Sequence, residues 1–222
     1  MDIKELKRKE IDSRLKDRGY DGMDYPLNVP PRPEKTICLD IGDIERVERF
    51  KKLYGGCVSD AMFQNGIVGT ILTHEIKPLK AHDVIAGRCV PVKWHSVASE
   101  THMTKEQKKE RKDRWDQEGS PQKKMHLAAK PGTVFVFDNG GDCQAAIFGD
   151  LSCNLAKSRG AVGVVNAGLT RDCRMIYGLG DFPYFTRGTT PNAYGGWRVM
   201  EVNHPIHIQG HLTHYVIVNP GD

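Results

Sequence analysis

Residues 133–172 read TVFVFDNGGDCQAAIFGDLSCNLAKSRGAVGVVNAGLTRD, and this stretch decides the predicted fold. The apolar run Thr133–Asp138 predicts a buried strand. Apolar residues then recur at helical spacing from Asp150 until Gly160, which predicts a helix between them. The β-branched run 161–166 predicts a second strand that is covered on both faces. A strand, a helix and a parallel strand in this order indicate an α/β fold.

Candidate functional groups collect at one edge of this unit. Asp150 is predicted to be the N-cap of the helix, and Arg171 and Asp172 follow the second strand. Because a helix N-terminus and the exit of the next parallel strand share one rim of a sheet, we expect these side chains to face one pocket. The free N–H groups of Leu151 and Ser152 would favour an anion there.

These residue types suit a small 2-oxo acid. A carboxylate can hold a hard divalent cation, and a guanidinium can bind a carboxylate through two hydrogen bonds. Retro-aldol cleavage and decarboxylation both place negative charge on the C2 oxygen of a pyruvate enolate, which a divalent cation and a guanidinium stabilise. A Schiff base has no obvious lysine, since Lys157 is the only lysine between residues 131 and 222 and lies in the middle of the helix.

Simpler interpretations of these residues stay open. Asp150 could serve only as a helix cap, and Arg171 with Asp172 could form a solvated surface ion pair. Cys173, next to Asp172, could be a nucleophile, although no histidine lies near it in sequence. A histidine-rich segment could in principle bind zinc, although its extended-chain spacing favours strand or turn roles for His204, His207, His211 and His214.

An ordered series of motifs runs along the chain. A weaker match comes first and six clear motifs follow: Val58–Met62, then Pro131–Asp138, Ala145–Asp150, Arg159–Val165, Gly168–Asp172, Arg187–Pro191 and Val218–Asp222. This series resembles the RraA-like family, which includes the class II, metal-dependent 4-hydroxy-4-methyl-2-oxoglutarate aldolases and the regulator of ribonuclease activity A. The resemblance covers roughly residues 55–97 and 128–222.

The resemblance implies a role for each residue of the edge. Asp172 would be the protein ligand of a Mg²⁺ or Mn²⁺ ion that otherwise keeps its waters, and Arg171 would hold the pyruvyl carbonyl and carboxylate region. Gly149, Asp150 and Leu151 would form the loop whose amides bind the carboxylate, with Asp150 also orienting a water on the metal for proton transfer. The implied reaction is cleavage of a 4-hydroxy-2-oxo acid to pyruvate, and oxaloacetate decarboxylation passes through the same enolate.

The resemblance also implies an architecture and an assembly. The family fold is a swivelling β/β/α core, usually in a homotrimer or in a hexamer made of two trimers, with sites at subunit boundaries. Relatives continue beyond the position of Asp222 with a strand and a helix, and in the aldolases this tail supplies an acid to the neighbouring site. Because one fold can carry either role, a non-catalytic regulator that acts on a protein partner such as a ribonuclease stays the alternative.

Two segments are predicted to elaborate the RraA-like domain of residues 55–222. Residues 1–54 are expected to form a helical and proline-rich arm. Residues 98–130 are expected to form a basic helical insertion, because residues 104–130 hold nine Lys/Arg and five Asp/Glu, which accounts for the whole net charge of +4. Trp115 is the only aromatic ring interleaved with these charges, so a solvated helix, a lid or a subunit contact is favoured over nucleic-acid binding.

Composition limits the location of the protein. No apolar run reaches membrane-spanning length and the N-terminus is charged throughout, so a cytoplasmic protein without a membrane partner is predicted. The six cysteines include no Cys-x-x-Cys pair, which favours reduced thiols. A chain of 222 residues can bury a full core, and one domain with elaborations is the natural count.

Overall fold

The computed structural model describes residues 42–96, 103–193, 197–211 and 214–222. Most of the predicted N-terminal arm and the start of the predicted insertion lie outside these ranges, so both segment boundaries stay predictions. Within the described ranges, no helix combines the length and the apolar character that crossing a bilayer requires. The cytoplasmic location also stays a prediction.

The described residues form six helices and eight strands. The helices are α1 (Asp43–Lys51), α2 (Gly55–Gln64), α3 (Lys105–Glu118), α4 (Pro121–Ala128), α5 (Asp150–Ser158) and α6 (Cys173–Tyr177). The strands are β1 (Lys77–Pro78), β2 (Arg88–Ser96), β3 (Thr133–Asp138), β4 (Gly163–Thr170), β5 (Tyr184–Thr189), β6 (Trp197–Val202), β7 (Ile206–Gln209) and β8 (Tyr215–Val218).

A six-stranded sheet organises these elements. Its strand order is β1-β5-β4-β3-β2-β6. The neighbouring strands β2, β3, β4 and β5 run parallel, whereas β1 and β6 pair antiparallel at the two edges. Strands β7 and β8 form a separate antiparallel pair. The α/β class predicted from the sequence is therefore confirmed.

β3 lies in the middle of the sheet, and all of its side chains are buried. On one face Phe135 and Phe137 belong to an apolar cluster that the helices complete, with Met125 of α4, Cys153 of α5 and Ile176 of α6. On the opposite face Val134 and Val136 belong to a second cluster, which β7 completes with Ile206 and Ile208. Burial on both faces explains why the parallel strands read as continuous apolar runs.

β4 differs from its predicted range because it begins later and runs to Thr170. Its pairing with β5 shifts between Asn166 and Leu169, which marks an irregularity in the strand. The Asn166 side chain bridges this irregularity. Its Oδ1 accepts a hydrogen bond of 2.9 Å from the Gly168 N–H, and its Nδ2 donates one of 3.1 Å to the Leu169 carbonyl. β4 ends at Thr170, so Arg171 is the first residue after the strand.

Two helices occupy the described part of the insertion, and they differ in burial. α3 begins with a capping box, in which Thr104 Oγ1 accepts from the Gln107 N–H at 3.2 Å and Gln107 Oε1 accepts from the Thr104 N–H at 2.9 Å. Most side chains of α3 are exposed. α4 buries Met125 in the core and packs against β6. α3 is thus the solvated part of the insertion, and α4 belongs to the core.

The α1–α2 pair leaves large apolar side chains in solvent. Helix α2 has no buried residue. The most exposed apolar side chains of the two helices and their connection are Ile44, Phe50, Tyr54 and Phe63. Apolar surface of this kind contributes little to the stability of the subunit and is typical of binding surfaces.

Candidate active site

The candidate site lies at the carboxyl-terminal edge of β4, where the segment before α5 runs beside the strand. The Ile147 N–H donates to the Leu169 carbonyl at 3.0 Å, and Ala146 forms a parallel bridge with Leu169. This pairing aligns the two segments residue by residue. It brings Gly149 against the residues that follow β4.

Gly149 touches both predicted site residues of the next segment. A Cβ atom added to Gly149 would lie 2.4 Å from Asp172 Oδ2 and 3.2 Å from Arg171 Cγ, so any side chain there would have to displace the Asp172 carboxylate. The backbone of Gly149 is extended (φ −77°, ψ −162°). The close approach of Asp172 and Arg171 therefore favours a glycine here, and no unusual backbone conformation does.

Arg171 and Asp172 form an ion pair in which Arg171 Nε lies 3.2 Å from Asp172 Oδ2. Their side chains keep 42% and 31% of their exposure, so both remain open to a ligand. Within the described residues, no hydrogen bond engages the two Nη atoms of Arg171 or Oδ1 of Asp172. Asp172 itself adopts a left-handed conformation (φ 60°, ψ 30°) that turns the chain into α6.

Asp150 is the first residue of α5, and Gly149 is its N-cap. The prediction that Asp150 caps the helix is wrong by one residue, because Asp150 is itself the first helical residue. The charge of Asp150 lies in the first helical turn, where the helix dipole favours an anion. Among the described residues no hydrogen bond or ion pair engages its carboxylate.

Two cysteines near the edge have a pKa raised above the ordinary value of a thiol. Burial raises the pKa of Cys153, and the nearby charges of Asp150 and Asp172 raise it further. Both carboxylates therefore lie close enough to one thiol to influence its ionisation. Burial also raises the pKa of Cys173, so the interpretation of that residue as an activated nucleophile lacks the lowered pKa it needs.

Buried polar side chains form hydrogen bonds beneath the strand edge. They were not predicted from the sequence. The Phe148 carbonyl lies 3.2 Å from the Tyr184 hydroxyl and 3.3 Å from the Thr170 hydroxyl. Asn166 Nδ2 donates to the Tyr184 hydroxyl at 3.1 Å. Burial raises the pKa of Tyr184, which keeps this hydroxyl protonated. The sequence signal for these residues is a polar residue inside an apolar strand. The sequence does not show which group such a side chain contacts.

The remaining charges of the strand edge are paired. Lys93 Nζ lies 2.5 Å from Asp138 Oδ2, and the Asp138 side chain is almost fully buried. Arg187 contacts Glu75 at 3.1 Å and donates to Gln209 at 2.6 Å. These pairs engage Lys93 and Arg187, whereas no hydrogen bond among the described residues engages the two Nη atoms of Arg171.

The donor set fits a hard cation held by few protein ligands. Within the part of the chain that the structure describes, no three His, Cys, Asp or Glu side chains cluster closely enough to chelate a metal. One exposed carboxylate with water completing the shell is a common arrangement for Mg²⁺. Asp172 can provide that carboxylate, because its Oδ1 is free and no side chain at Gly149 blocks it.

A separate cavity of about 210 Å³ lies elsewhere in the molecule. It is lined mainly by apolar residues that precede the strands, together with Lys51, Lys157 and Asp181. None of the predicted site residues lines it. The 79% exposure of Leu151 places the predicted site at an open strand edge.

Similarity to known proteins places these features in a family. A family model described as RraA-like, Aldolase/RraA, matches residues 56–222. A curated relative from Halalkalibacterium halodurans, which carries the provisional name 4-hydroxy-4-methyl-2-oxoglutarate aldolase, is 34% identical over 180 residues, covering 81% of this chain and 71% of the relative.

Solved structures share the fold at lower identity. A crystal structure described as a novel cellulase from microbes of the gut ecosystem aligns with a TM-score of 0.67 and 23% identity, covering 93% of this chain and 84% of the other. RraAS2 from Streptomyces coelicolor, described as an unusual member of the RNase ES inhibitor RraA protein family, aligns with a TM-score of 0.62 and 19% identity, covering 82% and 81%. At these identities the likeness concerns the fold alone. The family model spans the strand edge and the buried polar residues beneath it. The chain therefore belongs to the RraA-like family.

Proposed function

We propose that this protein is a divalent-metal-dependent carbon–carbon lyase that releases pyruvate from a 4-hydroxy-2-oxo acid of the 4-hydroxy-4-methyl-2-oxoglutarate type. The observation that carries the proposal is the contact of Gly149 with both Arg171 and Asp172 at the N-terminus of α5. The provisional aldolase name of the Halalkalibacterium halodurans relative supports the same reaction class.

Each group at the edge has a role in this proposal. Asp172 would hold a Mg²⁺ or Mn²⁺ ion through its carboxylate, and the free Nη atoms of Arg171 would bind the carboxylate and carbonyl oxygens of the substrate. The amides of Gly149, Asp150 and Leu151 would bind the same carboxylate, aided by the helix dipole. When bound, the divalent cation supplies Lewis-acid stabilisation of the charge that develops on the C2 oxygen.

Asp150 would carry the proton that the reaction moves. The C4 hydroxyl of the substrate loses its proton, the C3–C4 bond breaks, and its electron pair passes through C3 to the C2 oxygen. Protonation at C3 then gives pyruvate, so one carboxylate can accept the first proton and return the second. Arg171 stabilises the oxyanion because its guanidinium is already in place as charge develops.

Oxaloacetate decarboxylation is a second activity that the same groups would support. There the C3–C4 bond breaks with release of carbon dioxide, and the electron pair reaches the same C2 oxygen. The reaction needs no acceptance of a proton from a C4 hydroxyl. We therefore expect it to depend on Arg171 and Asp172 and to depend less on Asp150.

Release of pyruvate, measured by coupling to lactate dehydrogenase, tests the proposal. The wild-type protein should cleave 4-hydroxy-4-methyl-2-oxoglutarate with Mg²⁺ or Mn²⁺ and lose this activity with EDTA. Arg171→Met should lower kcat/KM on the order of 10²- to 10³-fold. Arg114→Met, which makes the same change on the exposed helix α3, should match the wild type. Absence of metal-stimulated turnover with every 2-oxo acid tested would refute the lyase.

An assembly of subunits also belongs to this proposal, as a homotrimer or a hexamer. Family resemblance is one support for it. The exposure of Ile44, Tyr54 and Phe63 in the α1–α2 pair is another, because a neighbouring subunit would remove this apolar surface from water.

A non-catalytic regulator is the second candidate function. The likeness to the Streptomyces coelicolor protein, described as belonging to an RNase ES inhibitor family, favours it. In that case the chain would inhibit a ribonuclease through its surface, and Arg171→Met would leave inhibition unchanged. Inhibition of a purified RNase E-type ribonuclease in the absence of any pyruvate release would support this candidate over the lyase.

A further inference from the structure

Phe148 precedes the candidate carboxylate-binding loop and has an unusual backbone. Its φ angle is +57°, in the left-handed region that bulky side chains rarely adopt. A strained residue of this kind persists only where its surroundings hold it. The direction in which the amides of Gly149, Asp150 and Leu151 point follows from this turn.

The Phe148 carbonyl is the point at which three elements hold the turn. The Tyr184 hydroxyl of β5 lies 3.2 Å from it, the Thr170 hydroxyl of β4 lies 3.3 Å from it, and the Cys153 thiol of α5 lies 3.7 Å from it. A carbonyl in contact with donors from two strands and a helix has little freedom to rotate.

The direction of the hydrogen bond from Tyr184 follows from its other partner. Asn166 Nδ2 donates to the Tyr184 oxygen at 3.1 Å, so the hydroxyl proton of Tyr184 is available for the carbonyls of Phe148 and Ile147. The orientation of the Asn166 amide is set in turn by the Gly168 N–H, which donates to its Oδ1 at 2.9 Å. A directed chain of hydrogen bonds thus runs from β4 to the loop.

The ring of Phe148 is held as firmly as its carbonyl. Its centroid lies 4.7 Å from that of Phe137 and 5.7 Å from that of Phe135. His126 of α4 also stacks on it, with 5.7 Å between the ring centroids and 29° between the ring planes. Because contacts hold both the ring and the carbonyl of Phe148, the backbone positions of the residues that follow it are restricted.

We infer that Tyr184 and Thr170 are positioning residues of the candidate site: their hydroxyls hold the Phe148 carbonyl and so aim the amides of Gly149–Leu151. This inference rests on the proposed function for its kinetic consequences, but its consequence for the loop is independent of any reaction. Phenylalanine and valine would fill the same buried space without a polar group to desolvate, so the hydroxyls are not needed for packing.

Tyr184→Phe tests the inference through a split between KM and kcat. The loop amides would bind the substrate carboxylate equally in the ground state and the transition state. A misaligned loop should therefore raise KM for 4-hydroxy-4-methyl-2-oxoglutarate about five- to tenfold and leave kcat within about twofold. Tyr177→Phe is the matched control, since it removes a hydroxyl that donates to the Leu79 carbonyl at 3.1 Å, away from the loop.

Thr170 provides a second pair of variants in case Tyr184→Phe folds poorly. Thr170→Val removes the hydroxyl and should raise KM in the same way, whereas Thr170→Ser keeps the hydroxyl and should restore the wild-type value. A purely structural role would instead lower thermal stability in both tyrosine variants and leave KM unchanged. That outcome would overturn the inference.

Hydrogen exchange separates this inference from the proposed reaction. Peptides that span residues 145–153 include the Ile147 and Cys153 amides, which are bonded to the carbonyls of Leu169 and Gly149. These peptides should exchange faster in Tyr184→Phe and in Thr170→Val, and at the wild-type rate in Tyr177→Phe. If the wild type turns over no 2-oxo acid, the lyase proposal fails while exchange still decides the inference. Equal exchange in all the variants would overturn it.

Discussion

The strand edge buries polar side chains, whereas the α1–α2 pair exposes large apolar ones. Beneath the edge, Asn166, Thr170 and Tyr184 are polar, buried and hydrogen-bonded. In the α1–α2 pair, Tyr54 and Phe63 are large and apolar, yet they keep 74% and 72% of their exposure.

This difference separates a geometry that the chain determines by itself from a surface that another chain would have to cover. A buried polar group is costly unless it is satisfied, so a satisfied network specifies one arrangement of the backbone around it. Exposed apolar surface adds little to the folding of its own subunit and is stabilised when another chain covers it. We therefore expect substitutions at the edge to change chemistry and substitutions in the α1–α2 pair to change assembly.

Asp172→Asn should have the largest effect at the edge. The amide keeps the shape of the side chain and removes the charge that would hold the cation, so kcat/KM for pyruvate release should fall on the order of 10²- to 10³-fold. Asp116→Asn makes the same change on exposed α3 and should leave kcat/KM unchanged. Wild-type turnover by Asp172→Asn would remove this carboxylate from the mechanism.

Gly149→Ala should have the next largest effect. The added methyl group would meet Asp172 Oδ2 at 2.4 Å and must displace it. A displacement of about 1 Å can cost on the order of 10²-fold in rate, so kcat/KM should drop by one to two orders of magnitude. Gly55→Ala, at a position where a Cβ meets nothing within 4 Å, is the control. Equal rates for the two variants would mean that the contact is irrelevant.

Phe63→Ser should affect assembly and not the geometry of the edge. If Phe63 lies in the proposed subunit contact, removing its ring should shift the assembly towards smaller species, with roughly 1 to 3 kcal/mol less association free energy. Sedimentation velocity over a range of concentrations measures the shift. Leu127→Ser changes an apolar side chain that is also exposed, on α4, and should leave the assembly mass unchanged. Identical masses for both variants would exclude α2 from the interface.

His126→Gln should have the smallest effect, which is measured in the pH dependence of stability. Burial lowers the pKa of His126, and the charge of Arg159 lowers it further. The unfolded chain therefore binds the proton more readily, so the contribution of neutral His126 is complete above pH 6.5 and is lost as the pH falls through the lowered value. Urea unfolding at pH 7.5 and 5.5 should show a shallower decline for His126→Gln than for His204→Gln, an exposed control. Parallel declines would contradict this assignment.

The sequence predicted the central strand and the helix of the site well. β3 spans the predicted Thr133–Asp138, because an uninterrupted apolar run bounded by glycine turns allows few alternatives. α5 begins at Asp150, one residue earlier than predicted, and ends at Ser158, two residues before Gly160. The cap was misplaced by one residue, since the contact between Gly149 and Asp172 is a tertiary feature that no local pattern contains.

The support of the site could not be predicted, because it depends on strand register. Val164 pairs with Tyr184 across β4 and β5, and this pairing brings the tyrosine hydroxyl under a loop that lies 36 residues away in sequence. The left-handed backbone of Phe148 has no local signal either, since phenylalanine does not favour it. Sequence periodicity reports which residues are buried, and not which buried hydroxyl meets which carbonyl.

Binding of Mn²⁺ at the strand edge is the most direct test of the central claim. Electron paramagnetic resonance of free Mn²⁺, titrated with the protein in the presence of pyruvate, should show one site per chain in the wild type and in Asp116→Asn. Asp172→Asn should weaken that site by about tenfold or more, because it removes the proposed protein ligand. Equal Mn²⁺ affinity in Asp172→Asn and the wild type would contradict a metal site built on this edge.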